Sequence, residues 1–180
     1  MVYVFFADGF EELEALSPVD VLRRAGVAVT TVGVGKRQIT GAHQIPILCD
    51  TTTQELQIRD LEMIVLPGGM PGTTNLEASE IVMAAVDQAL EEGKWITAIC
   101  AAPSILGHRG ILKGKKAICF PGFEDALEGA ELSKEPVCID GNIITAKGAG
   151  VALEFALTLV ACLKGEDTAR KLKETMQCRG

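Results

Sequence analysis

The chain has 180 residues, with 17 basic and 24 acidic side chains, two histidines, a formal charge of −7 and 48% apolar positions. That length buries one substantial core and is short for two, so a single globular domain over residues 1–180 is expected. The acidic balance and the 4% aromatic content speak against a nucleic-acid or anionic-membrane surface, which needs a basic patch; the densest basic cluster, Lys113, Lys115 and Lys116, reads as the solvated approach to a strand.

Val2–Phe6 is strand-like almost from Met1, with no basic segment or small-residue cleavage site before it. No apolar run approaches the ~18 residues of a membrane span, and a soluble, cytoplasmic protein is expected. Residues 11–25 have helical period. Glu11, Glu12 and Glu14 crowd its start, and Ser17-Pro18 reads as a second helix start with Ser17 as cap. Glu11 and Glu12 are read as solvated complements to the helix dipole. Glu14 lies among apolar Leu13, Ala15 and Leu16, so its carboxyl is expected to point inward, where burial would raise its pKa.

Residues 27–34 and Met63–Leu66 read as the next strands. The second ends in Pro67-Gly68-Gly69, where two glycines allow backbone N–H groups to face a ligand; this is either an oxyanion hole or a plain tight turn. It matches neither G-x-G-x-x-G nor G-x-x-x-x-G-K-[ST], so no dinucleotide or Walker-type phosphate site is expected, and no cofactor is called for. A helix is expected over 75–92, then a buried strand at Trp95–Ile99.

Cys100 follows that strand in Ala98-Ile-Cys-Ala-Ala-Pro103, where Pro103 suits the first turn of a helix over 101–109. A thiol at a helix N-terminus is expected to have a pKa below the free value of about 8.5. Small neighbours keep the turn sharp, as glycines do around a nucleophile-elbow serine. The competing reading makes Cys100 a packing residue. His108, ending that short helix, has a structural role on either reading, and neither His108 nor His43 is placed to pair with the thiol.

Residues 117–120 form a further strand, with Cys119 and Phe120 as possible pocket residues. Residues 137–139 and 143–144, joined through Asp140-Gly141, spell an antiparallel hairpin with a type I′ turn. Gly148-Ala-Gly150, before a helix over 151–163, either brings backbone close to the pocket or simply starts the helix. Residues 166–177 read as a charged surface helix. The six cysteines (49, 100, 119, 138, 162 and 178) show no C-x-x-C pair and no histidine at metal-ligand spacing, so no metal site or redox dithiol is expected.

Strands and helices that alternate in this way imply a mostly parallel sheet with helices on both faces, a flavodoxin-like, doubly wound α/β fold with one small antiparallel hairpin. Such sheets bind ligands at the carboxyl ends of their strands, near the point where strand order reverses. The loop 7–14, the loop 67–72 and the Cys100 turn are therefore expected to converge.

With these residues assembled, the chain resembles the ThiJ/PfpI superfamily, in its DJ-1 branch, over nearly its whole length. The likeness is carried by Ala7-Asp-Gly-Phe-Glu-Glu-Leu-Glu14, Pro18-Val-Asp-Val-Leu-Arg-Arg-Ala-Gly26, Leu66-Pro-Gly-Gly69, Ala98-Ile-Cys-Ala-Ala-Pro103 and Lys147-Gly-Ala-Gly150 followed by Glu154-Phe-Ala-Leu157. The resemblance implies a homodimer, a nucleophilic, oxidation-sensitive cysteine at Cys100 and a protonated glutamate partner at Glu14. The amides of Gly69 and Ala101 would face the sulfur. Apart from the resemblance, Gly68, Gly148 and Gly150 are pocket candidates, and Cys119, beside Phe120, is read either as a second oxidisable thiol near the pocket or, more simply, as core packing. Phe120 stands where some members carry a histidine. Ala101 stands where the protease-like branch has one, which makes a peptidase unlike this chain.

Two activities follow from that resemblance. The first is cysteine-dependent conversion of small 2-oxoaldehydes such as methylglyoxal, or of their early protein adducts, as a glyoxalase or deglycase. The second is redox sensing with chaperone action, through oxidation of the same cysteine to a sulfinate. A binding module with an unreactive Cys100 is the third reading.

Overall fold

A computed structural model describes residues 1–178. In chain order the elements are β1 (Val2–Phe6), α1 (Glu12–Arg24), β2 (Val29–Gly33), β3 (Gln38–Thr40), β4 (Pro46–Leu48), β5 (Thr51–Thr52) and β6 (Met63–Leu66). They continue with α2 (Gly72–Glu77), α3 (Glu80–Glu91), β7 (Trp95–Ile99), α4 (Pro103–His108), β8 (Lys116–Ala117) and β9 (Glu131–Leu132). The chain then runs through β10 (Val137–Asp140), β11 (Ile143–Ala146), α5 (Ala152–Lys164) and α6 (Glu166–Thr175).

One seven-stranded sheet has the order β10-β11-β7-β6-β1-β2-β5, parallel throughout except for β10, which pairs antiparallel with β11. The chain starts at β1, moves to β2 and β5 on one side, then crosses to β6 and continues through β7 to β11 on the other. Strand order therefore reverses between β1 and β6.

Alternation along β1 builds the two layers. Val2, Val4 and Phe6 pack into a core with Leu22 of α1 and Phe155, Leu159 and Val160 of α5, while Tyr3, Phe5 and Ala7 pack on the other face with Leu76, Val82, Val86 and Ile105. The sheet is thus covered on both sides, as its near-continuous apolar strands require. Among the described residues no helix is long and apolar enough to cross a membrane.

Several expected boundaries move for identifiable reasons. Ser17-Pro18 does not start a second helix: α1 is continuous, and Pro18 lies inside it with its face buried. Pro18 has no N–H to give the carbonyl of Glu14 one turn back. The helix expected over 75–92 is two, because Ser79 caps α3, its hydroxyl accepting the N–H of Val82 at 3.4 Å. Of the strand expected at 117–120 only Lys116–Ala117 is extended, pairing with β9 outside the main sheet. Asp140 is paired with Ile143, so the hairpin turns on Gly141 and Asn142 rather than on Asp140-Gly141. Gly141 has φ +60° and Asn142 is not among the residues of positive φ, the sign pattern of a type II′ rather than a type I′ turn.

Candidate active site

Four neighbouring parallel strands deliver the site residues. Gly68 and Gly69 follow β6, Cys100 follows β7, Gly148 follows β11, and Glu14 lies in the first turn of the helix after β1. All four loops leave the carboxyl ends of strands beside the β1/β6 reversal, where a doubly wound sheet opens its crevice.

Cys100 has φ +65°, in the left-handed region that residues with a β-carbon seldom occupy. Its N–H donates to the carbonyl of Ala146 at 2.9 Å, and its carbonyl accepts the N–H of Phe120 at 2.8 Å. Those two bonds hold a strained turn in place. The side chain is half-buried, with the amides of Gly69 and Ala101 directed at its sulfur.

Glu14 is fully buried. Its own N–H is capped by the Glu11 carboxylate at 2.8 Å, and its Oε2 accepts the N–H of Gly68 at 3.0 Å. The loop answers, since the Gly68 carbonyl accepts the N–H of Glu11 at 2.9 Å. Oε1 has no hydrogen-bond partner within the chain. Gly68 is required by space: a β-carbon there would lie 2.6 Å from Cβ of Cys100, 2.7 Å from Oε2 of Glu14 and 2.8 Å from the Ile99 carbonyl. Gly69, at φ +88°, is equally confined, 2.4 Å from the Glu11 nitrogen.

Burial pushes the Glu14 carboxyl up to about 7, against the lowering effects of Cys100 and the amides of Gly68 and Ala149. Ala149 is a site contributor that residue types alone did not single out, although the flanking Gly148 and Gly150 marked the turn. The thiol differs from expectation. Helix α4 starts only at Pro103, with Ala102 at its cap, so Cys100 lies in the turn before the helix. Burial first, then the charge of ionised Glu14 and its hydrogen bond, push the Cys100 thiol up to about 12, while the amides of Gly69 and Ala101 pull it down. Two of those three raising influences exist only while Glu14 is an anion. The pair therefore titrates as a unit, and its first proton is shared between oxygen and sulfur.

The remaining sequence-derived candidates divide. Gly148 joins the site, its β-carbon position 3.9 Å from Oε1 of Glu14 and 3.1 Å from the Phe120 ring. Gly150 is exposed, with nothing within 4 Å of its β-carbon position. Cys119 is 2% exposed and belongs to the core on the other face of the sheet, where burial, and behind it Glu124, push its thiol up to about 11. Phe120 lies at the rim. His108 pairs with Glu77 at 2.7 Å, away from the thiol.

Glu12 is not solvated as expected but 6% exposed. The 41–45 turn covers it, and its two oxygens take the backbone N–H and the Nδ1 of His43, each at 2.8 Å. Burial raises Glu12, and these bonds outweigh it, leaving the carboxyl below its ordinary value. Glu11, Glu12 and His43 thus bring three ligand-type side chains together, a proximity that chain spacing did not foretell. His43 already occupies both oxygens of Glu12.

A doubly wound α/β protein with a strained cysteine and a buried, proton-holding glutamate at its switch point is the class that these observations define. A family model described as "DJ-1/PfpI family" matches residues 1–162, and the chain belongs to that family. The chain is 38% identical over 176 residues to "Parkinson disease protein 7 homolog" of Danio rerio, covering 94% of this chain and 93% of that protein. It is 30% identical over 164 residues to "Glutathione-independent glyoxalase DJR-1.2" of Caenorhabditis elegans, covering 90% and 87%. Against "Protein DJ-1 homolog B" of Arabidopsis thaliana, 34% identical, the match covers 96% of this chain but 40% of the longer plant protein. A solved structure, that of a cysteine-to-alanine mutant of a DJ-1 superfamily protein from Salmonella typhimurium, superposes with a TM-score of 0.94 at 37% identity, covering 99% and 98% of the two chains.

Proposed function

We propose that this protein is a cysteine-dependent enzyme acting on small 2-oxoaldehydes such as methylglyoxal, or on their early protein adducts. The observation that carries the reading is the strained Cys100, its sulfur faced by two backbone amides and set beside a fully buried carboxyl that holds its proton near neutrality. A relative named as a glutathione-independent glyoxalase supports it.

In the reactive form of the pair the proton is on Glu14 and the charge on Cys100. The sulfur adds to the aldehyde carbon, the carbonyl electrons move to oxygen, and Glu14 protonates that oxygen to give a hemithioacetal. The amides of Gly69 and Ala101 stabilise the oxyanion as it forms. Glu14, now a carboxylate, removes the proton from the former aldehyde carbon, leaving an enediol(ate), and returns it to the neighbouring carbon, while the proton of the hemithioacetal hydroxyl passes to the neighbouring oxygen as the first C=O re-forms. The first carbon is thereby oxidised to a thioester and the second reduced to an alcohol. Water then releases the 2-hydroxy acid and restores the thiol, with no external oxidant or reductant.

Methylglyoxal consumption is the test. Cys100→Ser should abolish it and Glu14→Ala should lower it roughly 10²–10⁴-fold, as loss of a general acid–base does; unchanged turnover in either sinks the proposal.

The same donors around sulfur favour a second role. A sulfinate at Cys100 would accept hydrogen bonds from the two amides and the Glu14 carboxyl, so mild peroxide should add two oxygens there before any other cysteine, as read by mass spectrometry. A homodimer fits the exposed apolar side chains Leu13 and Leu16 of α1 and Ile45 and Leu48 of the segment in which β3 and β4 pair antiparallel, whose turn lies over Glu12 of α1.

A further inference from the structure

Phe120 is anomalous among the residues around the reactive pair. Phe5, Phe6, Phe10 and Phe155 are fully buried, whereas Phe120 is 47% exposed. Its position is nevertheless fixed. The Phe120 N–H donates to the Cys100 carbonyl at 2.8 Å, its carbonyl accepts the N–H of Phe123 at 3.1 Å, and the N–H of Ile118 is held by the Thr145 hydroxyl at 3.0 Å. Cys119 between them is sunk in the core. Phe120, the next residue, faces the opposite way, outward beside the site.

The ring rests against Gly148. The β-carbon position of Gly148 is 3.1 Å from Cδ2 and 3.7 Å from Cε2 of Phe120, and 3.9 Å from Oε1 of Glu14. One point in space therefore lies against both the ring edge and Oε1 of the Glu14 carboxyl. Glycine keeps that point empty of a side chain. Gly150, two residues on, is exposed and has nothing within 4 Å of its β-carbon position. Met70, also exposed, lies along α2 instead, its sulfur 4.0 Å from the Thr74 hydroxyl.

We infer that Phe120 is a specificity-determining residue: its ring is a subsite for the group attached to the carbonyl under attack, and it favours aryl or bulky apolar 2-oxoaldehydes over glyoxal and methylglyoxal. The preference deepens, and rests on, the reading of Cys100 as a nucleophile. The physical cause is the surface that the protein leaves wet. An aryl substituent laid on the exposed face removes apolar area from water on both partners and adds an aromatic contact, which a hydrogen or methyl cannot do. Together these are worth about ten-fold in relative rate.

The test compares the wild type with Phe120→Ala and Phe120→Tyr in two assays. The first is the ratio of kcat/KM for phenylglyoxal to that for methylglyoxal. The second needs no turnover: it is the ratio of the rates at which phenacyl bromide and iodoacetamide alkylate Cys100, followed by mass spectrometry of the Cys100 peptide. Both ratios should fall about ten-fold in Phe120→Ala and be kept in Phe120→Tyr, whose ring presents the same face. Should turnover be absent while the alkylation ratio falls, the subsite stands and the glyoxalase reading fails. Cys100-dependent turnover with ratios equal in wild type and Phe120→Ala overturns the subsite and leaves the glyoxalase reading standing.

Discussion

Glu14→Gln separates the two ways in which a carboxyl can act on a neighbouring thiol. In the wild type the pair gives up its first proton from either of two sites, and the equilibrium constant for that loss is the sum of the two site constants. Burial sets the oxygen site at about 7. The pair as a whole then ionises at or below that value, and some fraction of the singly charged form has the charge on sulfur. Glutamine imitates the protonated carboxyl in shape and keeps an N–H to offer the sulfur, but it has no proton to lose. Only the sulfur site remains, and its constant alone is smaller than the sum.

The midpoint of Cys100 ionisation must therefore rise in Glu14→Gln. The size of the rise measures the charge distribution: if about one-tenth of the singly ionised wild type has its charge on sulfur, the midpoint moves up by about one pH unit, or 1.36 kcal/mol. Second-order rates of iodoacetamide alkylation from pH 5 to 10, with the Cys100 peptide followed by mass spectrometry, give both midpoints. A midpoint that stays put or falls refutes the reasoning, because the carboxyl would then not be competing with sulfur for the shared proton.

The same carboxyl predicts a pH dependence of stability. Its pKa is raised in the folded state, from 4.5 to about 7, so the native protein binds more protons than the unfolded chain across that window and stability falls as pH rises through it, by at most about 3 kcal/mol. Urea midpoints at constant m-value should show this decline in wild type and lose it in Glu14→Gln. Gly68→Ala puts a methyl 2.6 Å from Cβ of Cys100; overpacking should cost about 1–3 kcal/mol in urea unfolding and displacement of the pair roughly 10² in turnover. If the proposed homodimer forms through the face that carries Leu13, Leu16, Ile45 and Leu48, Leu48→Lys, at a side chain 75% exposed, lowers the sedimentation coefficient to that of a monomer while leaving the far-ultraviolet circular dichroism unchanged; a wild type that already sediments as a monomer refutes the dimer.

What chain order revealed and what it hid follows from the range of the interactions involved. The strands at Val2–Phe6, Met63–Leu66 and Trp95–Ile99 fall where apolar runs place them, because a strand buried on both faces writes its burial into its own residues. Glu14 does turn inward as expected, but of the neighbours that suggested it only Ala15 is buried, while Leu13 and Leu16 are exposed. The burial of Glu12 was not legible, since its cover arrives from the 41–45 turn, far along the chain. The interruption at Ala78 and Ser79 was hidden by apolar residues continuing on both sides, and Pro18, locally a helix starter, was overridden by the packing of α1 on α5. Cys119 and Phe120 are adjacent yet have opposite fates, because bonds to distant residues, from the Phe120 N–H to the Cys100 carbonyl and from the Ile118 N–H to the Thr145 hydroxyl, set the path of the chain there.

The thiol shows most clearly where local reasoning stops. A helix dipole acts over one turn, and Pro103 pointed to that dipole as the force that would acidify Cys100. The sulfur instead lies ahead of the helix, in a turn whose unfavourable φ costs of order 1–3 kcal/mol and is maintained by β11 on one side and Phe120 on the other. What controls its charge is the carboxyl of Glu14, a residue from the first helix, brought alongside because β1 and β6 meet where the sheet reverses and because Gly68 leaves room for both groups. Acidity at this site is therefore a property of the crossover and not of the helix. A change in the helix after Cys100 should move the titration less than a change in the loop after β6.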